Sequence, residues 1–376
     1  MKVAIVTESF LPSINGVTNS VLRVIDTLLA AGHELLVIAP TSEGPSYRGV
    51  PVIKSPSVIL GGFPVAIPTP FVSAALDRFA PELIHAAAPF WLGGEAIAYG
   101  HRRGIPTVAI YQTDVAGYMK RYGLDFATPI LDALTASIHK LATLNLAPTQ
   151  DGVDRLRGLG ISSVGIWGRG VDLELFSPER RATTPVQELR HQWAPLGERI
   201  IGYVGRLAPE KQVGRLIEVC GIPGTRIVIV GDGPDRHELE DRFTGYPVTF
   251  TGRLSGDELA NAYAAMDVFV HAGTEETFGQ TIQEAHASGL PVIAPSMGGQ
   301  RHLIHHGIDG YLVDHTRWGA FREGVQTLVD DEVLLRTMSR SAYLAVADKS
   351  WERNNQELLA HYERVLATRT SALVAA

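Results

Sequence analysis

Short unbroken apolar runs alternate with stretches of helical period along almost the whole chain. Residues 3–6, 35–39, 83–86, 107–111 and 144–147 are such runs, with the length and composition of buried strands. Between the first two, Val17, Val21, Val24, Ile25, Leu28 and Leu29 fall on one helical face, and Gly32 follows as a stop signal. Strand and helix in alternation predict a parallel sheet covered by helices on both faces. The pattern starts again at 200–204 and continues through 227–230, 248–250, 268–271 and 292–294. Two doubly wound α/β domains are therefore expected, joined near residues 165–170, with a last helical stretch at 351–366 beyond the second sheet. The glycine-containing link and a cleft between two such sheets point to a hinged enzyme.

A length of 376 residues gives each domain enough chain for its own core. The composition, 45% hydrophobic and 19% charged, is that of a globular protein. The net charge of −7 argues against nucleic acid as a partner, because a phosphate backbone needs clustered positive charge. A small anion held by one or two cations stays compatible with it. Cys220 is the single cysteine, so no disulfide forms within the chain and a reducing, cytoplasmic compartment is expected. The apolar start is interrupted at Glu8 and reads as a strand rather than a signal peptide. Residues 55–76 carry no charge, which is long enough for a membrane helix. Pro56, Pro64, Pro68, Pro70, Gly61 and Gly62 break it. It reads as an apolar loop with short strands, with a surface that touches lipid as the functional alternative.

Ligands of open parallel sheets bind at the carboxyl ends of strands, so the loops that follow strands are where chemistry is expected. The loop at 8–16 is long for its position and ends in Asn15-Gly16 at a helix start. Gly16 there lets backbone N–H groups approach an anion, and it also reads as a plain helix cap. Arg206 and Lys211 follow the first strand of the second half. A guanidinium fork and a point charge suit a diphosphate, and the bland reading is two surface cations. Gly231-Asp232-Gly233-Pro234 begins like a dinucleotide fingerprint, but Arg236 stands where a third glycine would be, so it reads as a tight turn. The sharpest segment runs from Glu276 to Glu284. Thr277 and Gln280 have capping-box spacing, which predicts a helix beginning at Thr277 with Glu276 before it and Glu284 inside it. Eight helical residues separate the two acids by about 12 Å, wider than the roughly 5–9.5 Å of a hydrolytic carboxylate pair. They suit two contacts on one long ligand, with a phosphate favoured by the free N–H groups between them. One capping-region acid and one solvated helix acid is the equally weighted alternative.

In combination these segments resemble the family 4 glycosyltransferases, whose GT-B fold is two Rossmann-like doubly wound parallel-sheet domains facing across a cleft. The resemblance covers nearly the whole chain and rests on Pro12-Ser13-Ile14-Asn15-Gly16-Val17, Gly170-Val171-Asp172, Gly205-Arg206 with Glu210-Lys211, Gly231-Asp232-Gly233-Pro234 and the Glu, seven residues, Glu signature at Glu276 and Glu284. It implies an acceptor-binding domain over 1–167, on which a C-terminal helix at 351–376 packs back, and a nucleotide-sugar-binding domain over 168–350. It assigns Arg206 and Lys211, with the Gly16 backbone, to the donor diphosphate. Glu276 then contacts the transferred sugar, and Thr277, Phe278 and Gly279 offer backbone groups. Glu284 holds the ribose, and Leu254 lies beside the base. Transfer in this family is retaining and uses no metal. No cofactor is expected, because the nucleotide sugar is a substrate. No Asp-x-Asp metal motif occurs, and His302, His305 and His306 lack metal-ligand spacing.

Within the family, Tyr111-Gln112-Thr113-Asp114 and the Asn-Gly-Val loop look like the actinobacterial GDP-mannose-dependent glycolipid α-mannosyltransferases. Relatives often carry histidine at Gln112 and an acid at His302. Gln112 cannot titrate, so Asp114 is the candidate for proton handling, with Glu276, Gln112 and Asp114 as the catalytic set. Asn15, Tyr118 and Arg121, near the uncharged stretch, are the candidate contacts to a lipid or glycolipid acceptor. They would bring the protein to the inner face of the cell membrane as a peripheral protein. A UDP-sugar-dependent glucosyl or sulfoquinovosyl transferase, a sugar-nucleotide epimerase and a non-catalytic nucleotide-sugar binding protein are the alternatives. The incomplete glycine fingerprint argues against a nicotinamide oxidoreductase.

Overall fold

Apolar runs of this kind become strands where helices cover both faces of a sheet, leaving no face for polar residues. The computed structural model describes residues 1–13, 15–60, 63–66, 71–112, 128–274 and 276–374. Two units follow: Met1–Arg169 with Trp351–Ala376, and Gly170–Ser350.

In the first unit β1 (Lys2–Thr7), β2 (Glu34–Ala39), β3 (Ser46–Tyr47) and β4 (Val50–Lys54) precede a two-stranded antiparallel ribbon of β5 (Ser57–Leu60) and β6 (Phe63–Ala66). β7 (Leu83–Ala87), β8 (Thr107–Ile110), β9 (Leu144–Ala147) and β10 (Val164–Ile166) complete the sheet in the order β10-β9-β8-β7-β1-β2-β4-β3. All its pairings are parallel except β3 with β4. Val3, Ala4, Ile5 and Val6 are fully buried, as a central strand requires. The chain runs from β1 to β2 on one side and later returns to β7 on the other. The carboxyl ends of β1 and β7 are therefore this sheet's switch point. Of the uncharged 55–76 stretch, the described part holds the short strands expected and adds a helix, Phe71–Phe79, whose Val72 and Leu76 are buried.

The helix Trp351–Val374 belongs to this first unit. Leu358, Tyr362 and Val365 pack into its core beside Trp167. Trp167 Nε1 donates to the Asn354 carbonyl at 2.9 Å, and Asn355 Nδ2 donates to the Arg23 carbonyl at 3.0 Å. The Tyr362 hydroxyl meets His85 Nδ1 at 2.6 Å in the interior.

The second unit holds β11 (Arg199–Val204), β12 (Thr225–Val230), β13 (Val248–Gly252), β14 (Val268–Val270), β15 (Val292–Pro295) and β16 (Gly310–Val313), all parallel, in the order β13-β12-β11-β14-β15-β16. Its switch point lies between β11 and β14. Here the glycines of the sequence motifs act by close approach. A Cβ on Gly231, whose φ is +138°, would stand 1.9 Å from the Gly205 carbonyl oxygen. The loop after β12 thus lies directly on the loop after β11. Leu207 N donates to the Asp232 carbonyl at 3.0 Å, and Asp235 N donates to the Leu207 carbonyl at 3.0 Å. No described helix is long and apolar enough to cross a membrane.

Candidate active site

The loops leaving β11 and β14 carry the cations and acids singled out above, and the switch point brings them together. Lys211, half-buried at the end of the β11 loop, donates from Nζ directly to Glu276 Oε1 on the β14 loop. His271, the first residue after β14, is 2% exposed, and its Nε2 lies 3.4 Å from the same carboxylate oxygen. Burial holds the imidazole neutral and lowers its pKa to about 4. The Glu276 charge opposes that shift and the Lys211 charge adds to it. Beneath them Tyr203 is fully buried, and its hydroxyl donates to the Arg206 carbonyl at 3.1 Å. Burial first, then the Glu276 and Glu210 charges, pushes its hydroxyl well above the ordinary tyrosine range. The Arg206 side chain is exposed on the same loop.

The segment after Glu276 departs from the expected capping box. The helix begins at Gln280, and its N-cap is Gly279 at φ 103°, with no side-chain cap from Thr277. A turn at Gly298-Gly299 prevents an earlier start. Gly299 N donates to the Glu276 carbonyl at 2.6 Å, and a Cβ on Gly299 would stand 2.8 Å from Phe278 Cα. The backbone of 276–279 is thereby held off the helical path, and the 12 Å axial offset reduces to the four residues from Gln280 to Glu284. Thr277 is exposed, while the Phe278 side chain is buried in the core. Glu284 sits inside the helix and accepts from the Tyr263 hydroxyl at 2.9 Å. Burial raises its carboxyl to about 7, with the Tyr263 hydrogen bond acting in the opposite sense. Leu254, on the loop after β13, is half-buried with its side chain against the core, so its backbone is the part left to meet a ligand.

In the first unit the switch point is shaped by Glu8. This half-buried carboxylate accepts from Phe90 N at 2.9 Å and Gly93 N at 3.1 Å, and desolvation raises its pKa against those hydrogen bonds. The helix Gly16–Ala30 begins where expected, and its N-cap is Asn15. Asn15 Oδ1 accepts from Val17 N and Thr18 N, each at 3.0 Å, and Nδ2 donates to Ser9 Oγ at 2.7 Å. Two of the helix's leading N–H groups are therefore taken by the cap, which the Gly16 N–H does not join. Arg169, 8% exposed, lies over Gly16. A Cβ there would meet its Nη1 at 2.5 Å, and its Nη2 donates to Gln112 Oε1 at 2.8 Å. Asp114, Tyr118 and Arg121 lie outside the described residues.

Comparison with known proteins bears on this geometry. The family model described as "Glycosyl transferases group 1" matches residues 186–345, and that described as "Glycosyltransferase Family 4" matches residues 14–175. The chain is 42% identical to the GDP-mannose-dependent alpha-mannosyltransferase of Corynebacterium glutamicum, over 98% of this chain and 90% of the relative. It is 43% identical to the protein of the same name in Mycolicibacterium smegmatis, over 98% and 99%. The chain belongs to the family 4 glycosyltransferases. Among solved structures, sucrose-phosphate synthase from Thermosynechococcus elongatus matches with a TM-score of 0.81 at 21% identity, over 98% of this chain and 99% of that one, a likeness of GT-B fold.

Against this glycosyltransferase frame, sequence reasoning missed three residues. His271 was read as the last residue of a strand. A histidine closing a buried run at a switch point is the signal that could have found it. Tyr263 and Arg169 carry no spacing signal at all, because their partners, Glu284 and Gln112, lie 21 and 57 residues away. His305 pairs with Asp309 at 2.6 Å, and among the described residues no group of histidine, cysteine and acidic side chains could hold a metal ion.

Proposed function

We propose that the enzyme transfers a mannosyl residue, with retention, from GDP-mannose to a membrane-associated glycolipid. The observation that carries this reading is the near-full-length identity to two proteins named GDP-mannose-dependent alpha-mannosyltransferases. The meeting of Lys211 and Glu276 at one switch point supports it. Without donor the two side chains neutralise each other. A donor diphosphate draws Lys211 to itself together with Arg206, and Glu276 is released to accept hydrogen bonds from the hexose hydroxyls. The neutral His271 keeps one side of that carboxylate from water. As the bond to the sugar breaks, negative charge grows on the diphosphate, and Arg206, Lys211 and the backbone groups of Thr277 to Gly279 offset it. With two side-chain cations in place, no metal is required.

Glu284 accepts from the ribose hydroxyls, and the Leu254 backbone borders the base. The first unit takes the acceptor. The Gly16 backbone supports the diphosphate, and Arg169 fixes the Gln112 amide. Asp114 receives the acceptor's proton, and Tyr118 and Arg121 meet the lipid headgroup. Asn15 serves that end as a cap that sets the loop. The apolar 55–76 stretch is the proposed peripheral contact with the inner membrane face.

The test is incubation of the purified protein with labelled GDP-mannose, UDP-glucose and a lipid extract. Label from GDP-mannose is expected in the lipid phase without added divalent metal, and it should persist in chelator. Transfer from UDP-glucose alone would overturn the donor assignment. Transfer only to water-soluble acceptors would overturn the lipid assignment.

A further inference from the structure

A cavity of about 590 Å³ opens at the amino-terminal edge of the second sheet, the edge opposite the carboxyl ends that carry Lys211 and Glu276. Arg199 at the start of β11, Asp267 just before β14 and Leu290 just before β15 line it. The charge there is unbalanced. The buried Asp267 carboxylate is met by three guanidiniums. Arg181 donates to Oδ1 directly, Arg190 to Oδ2 at 3.1 Å, and Arg199 approaches Oδ1 at 3.5 Å. Glu332 contacts Arg199 and accepts from Arg336 Nε at 2.8 Å. Arg340, one helical turn beyond Arg336, faces the cavity with no hydrogen-bond or ion-pair partner among the described residues. Four arginines, Arg181, Arg199, Arg336 and Arg340, thus line the cavity against two acids, Asp267 and Glu332, an excess of two positive charges on a chain whose net charge is −7.

A second, independent observation comes from Ser288. It lines the cavity, is 6% exposed, and its hydroxyl has no hydrogen-bond partner. A buried hydroxyl left so is destabilising unless a ligand or water completes it. Leu290 and Leu335 give the cavity an apolar floor and Tyr343 an aromatic wall. The volume falls in the roughly 300–1,000 Å³ range of small-molecule sites.

We infer that this cavity binds the phosphoryl group of a small molecule, at a site separate from the sugar-donor site. Guanidinium forks match phosphate oxygens two at a time, a phosphate dianion matches the excess of two positive charges, and the Ser288 hydroxyl supplies a further partner. The inference does not depend on which sugar the enzyme transfers. Binding is measured on the full chain by calorimetry and thermal unfolding, with inorganic phosphate and with glycerol 3-phosphate, at constant ionic strength set by chloride. Saturable binding is expected in the wild type and in R206A/K211A, which lacks the donor-site cations. R336E/R340E should weaken it at least about tenfold, because two charge-assisted contacts become repulsive. S288A, which leaves all charges in place, should weaken it by a few-fold at unchanged unliganded Tm, and it serves as the readout if the charge-reversed protein does not fold. Tighter binding of glycerol 3-phosphate marks an esterified ligand, and equal binding marks free phosphate. Binding that disappears in R206A/K211A and survives in R336E/R340E or S288A would assign the phosphate to the donor site and overturn the inference, as would no saturable binding of either probe to the wild type.

Discussion

At the scale of single residues, the two signature glutamates are held in opposite electrostatic settings. Glu276 is paired with a cation, and its charge is supported. Glu284 is half-buried beside the Tyr263 hydroxyl, with a pKa of about 7 against an ordinary 4.5. For Glu284 the raised pKa means that the folded state favours the proton. The associated stabilisation is complete below about 4.5 and is lost as pH rises through about 7. In the proposed role of Glu284, ribose hydroxyls donate better to the ionised carboxylate, so donor affinity should rise between pH 6 and pH 8. E284Q should flatten that profile and weaken donor binding about tenfold at pH 8, read by calorimetry. At the other acid, E276Q keeps the shape and removes the charge. It should lower kcat about 10²-fold while donor affinity changes only a few-fold. K211A should instead weaken donor binding by about 10- to 100-fold. The opposite split between these two variants would exchange the roles given to the two residues.

At the scale of elements, the site depends on glycines that let one loop lie on another. G231A places a methyl group against the Gly205 carbonyl at a left-handed φ, and G299A places one against the Phe278 backbone. Each should cost about 1–3 kcal/mol of stability and a larger share of activity, because the displaced loops carry Arg206 and Glu276. Thermal unfolding alongside turnover separates the two effects. The strands were legible in the sequence because burial on both faces demands unbroken apolar runs, and the ten runs singled out all became strands. The edge strands β3, β10 and β16, and β4 next to an edge, lack that pressure and left no such run. The helix start at Gln280 was misplaced for a physical reason. Thr277 and Gln280 match a local cap, but Gly298-Gly299, some twenty residues on, decides the backbone there. Tyr263 and Arg169 were invisible for the same reason, since each gains its meaning only from a partner brought in by the fold, whereas His271 left a signal only in its place at the end of a buried run.

At the scale of the whole molecule, four buried histidines have lowered pKa values, and three of them are pushed far down and kept neutral, His85 in the first unit and His271 and His286 in the second. Burial lowers them to about 3, 4 and 4. Depressed values mean that their contribution to stability is present above about 6.5 and is lost as pH falls toward 4. The urea midpoint should therefore drop steeply between pH 6.5 and pH 4.5 in both units, and a flat midpoint over that range would refute the assignment of these three as buried and neutral. The first unit is also discontinuous, because its core includes Leu358, Tyr362 and Val365 from beyond the second unit. Translation delivers Met1–Arg169 long before those side chains exist. At about 5–20 residues per second the nascent first sheet waits tens of seconds for its last layer. Meanwhile Gly170–Ser350 emerges whole and can close its own core at once. The amino-terminal sheet, although translated first, therefore cannot bury its last core face until the whole of Gly170–Ser350 has been made.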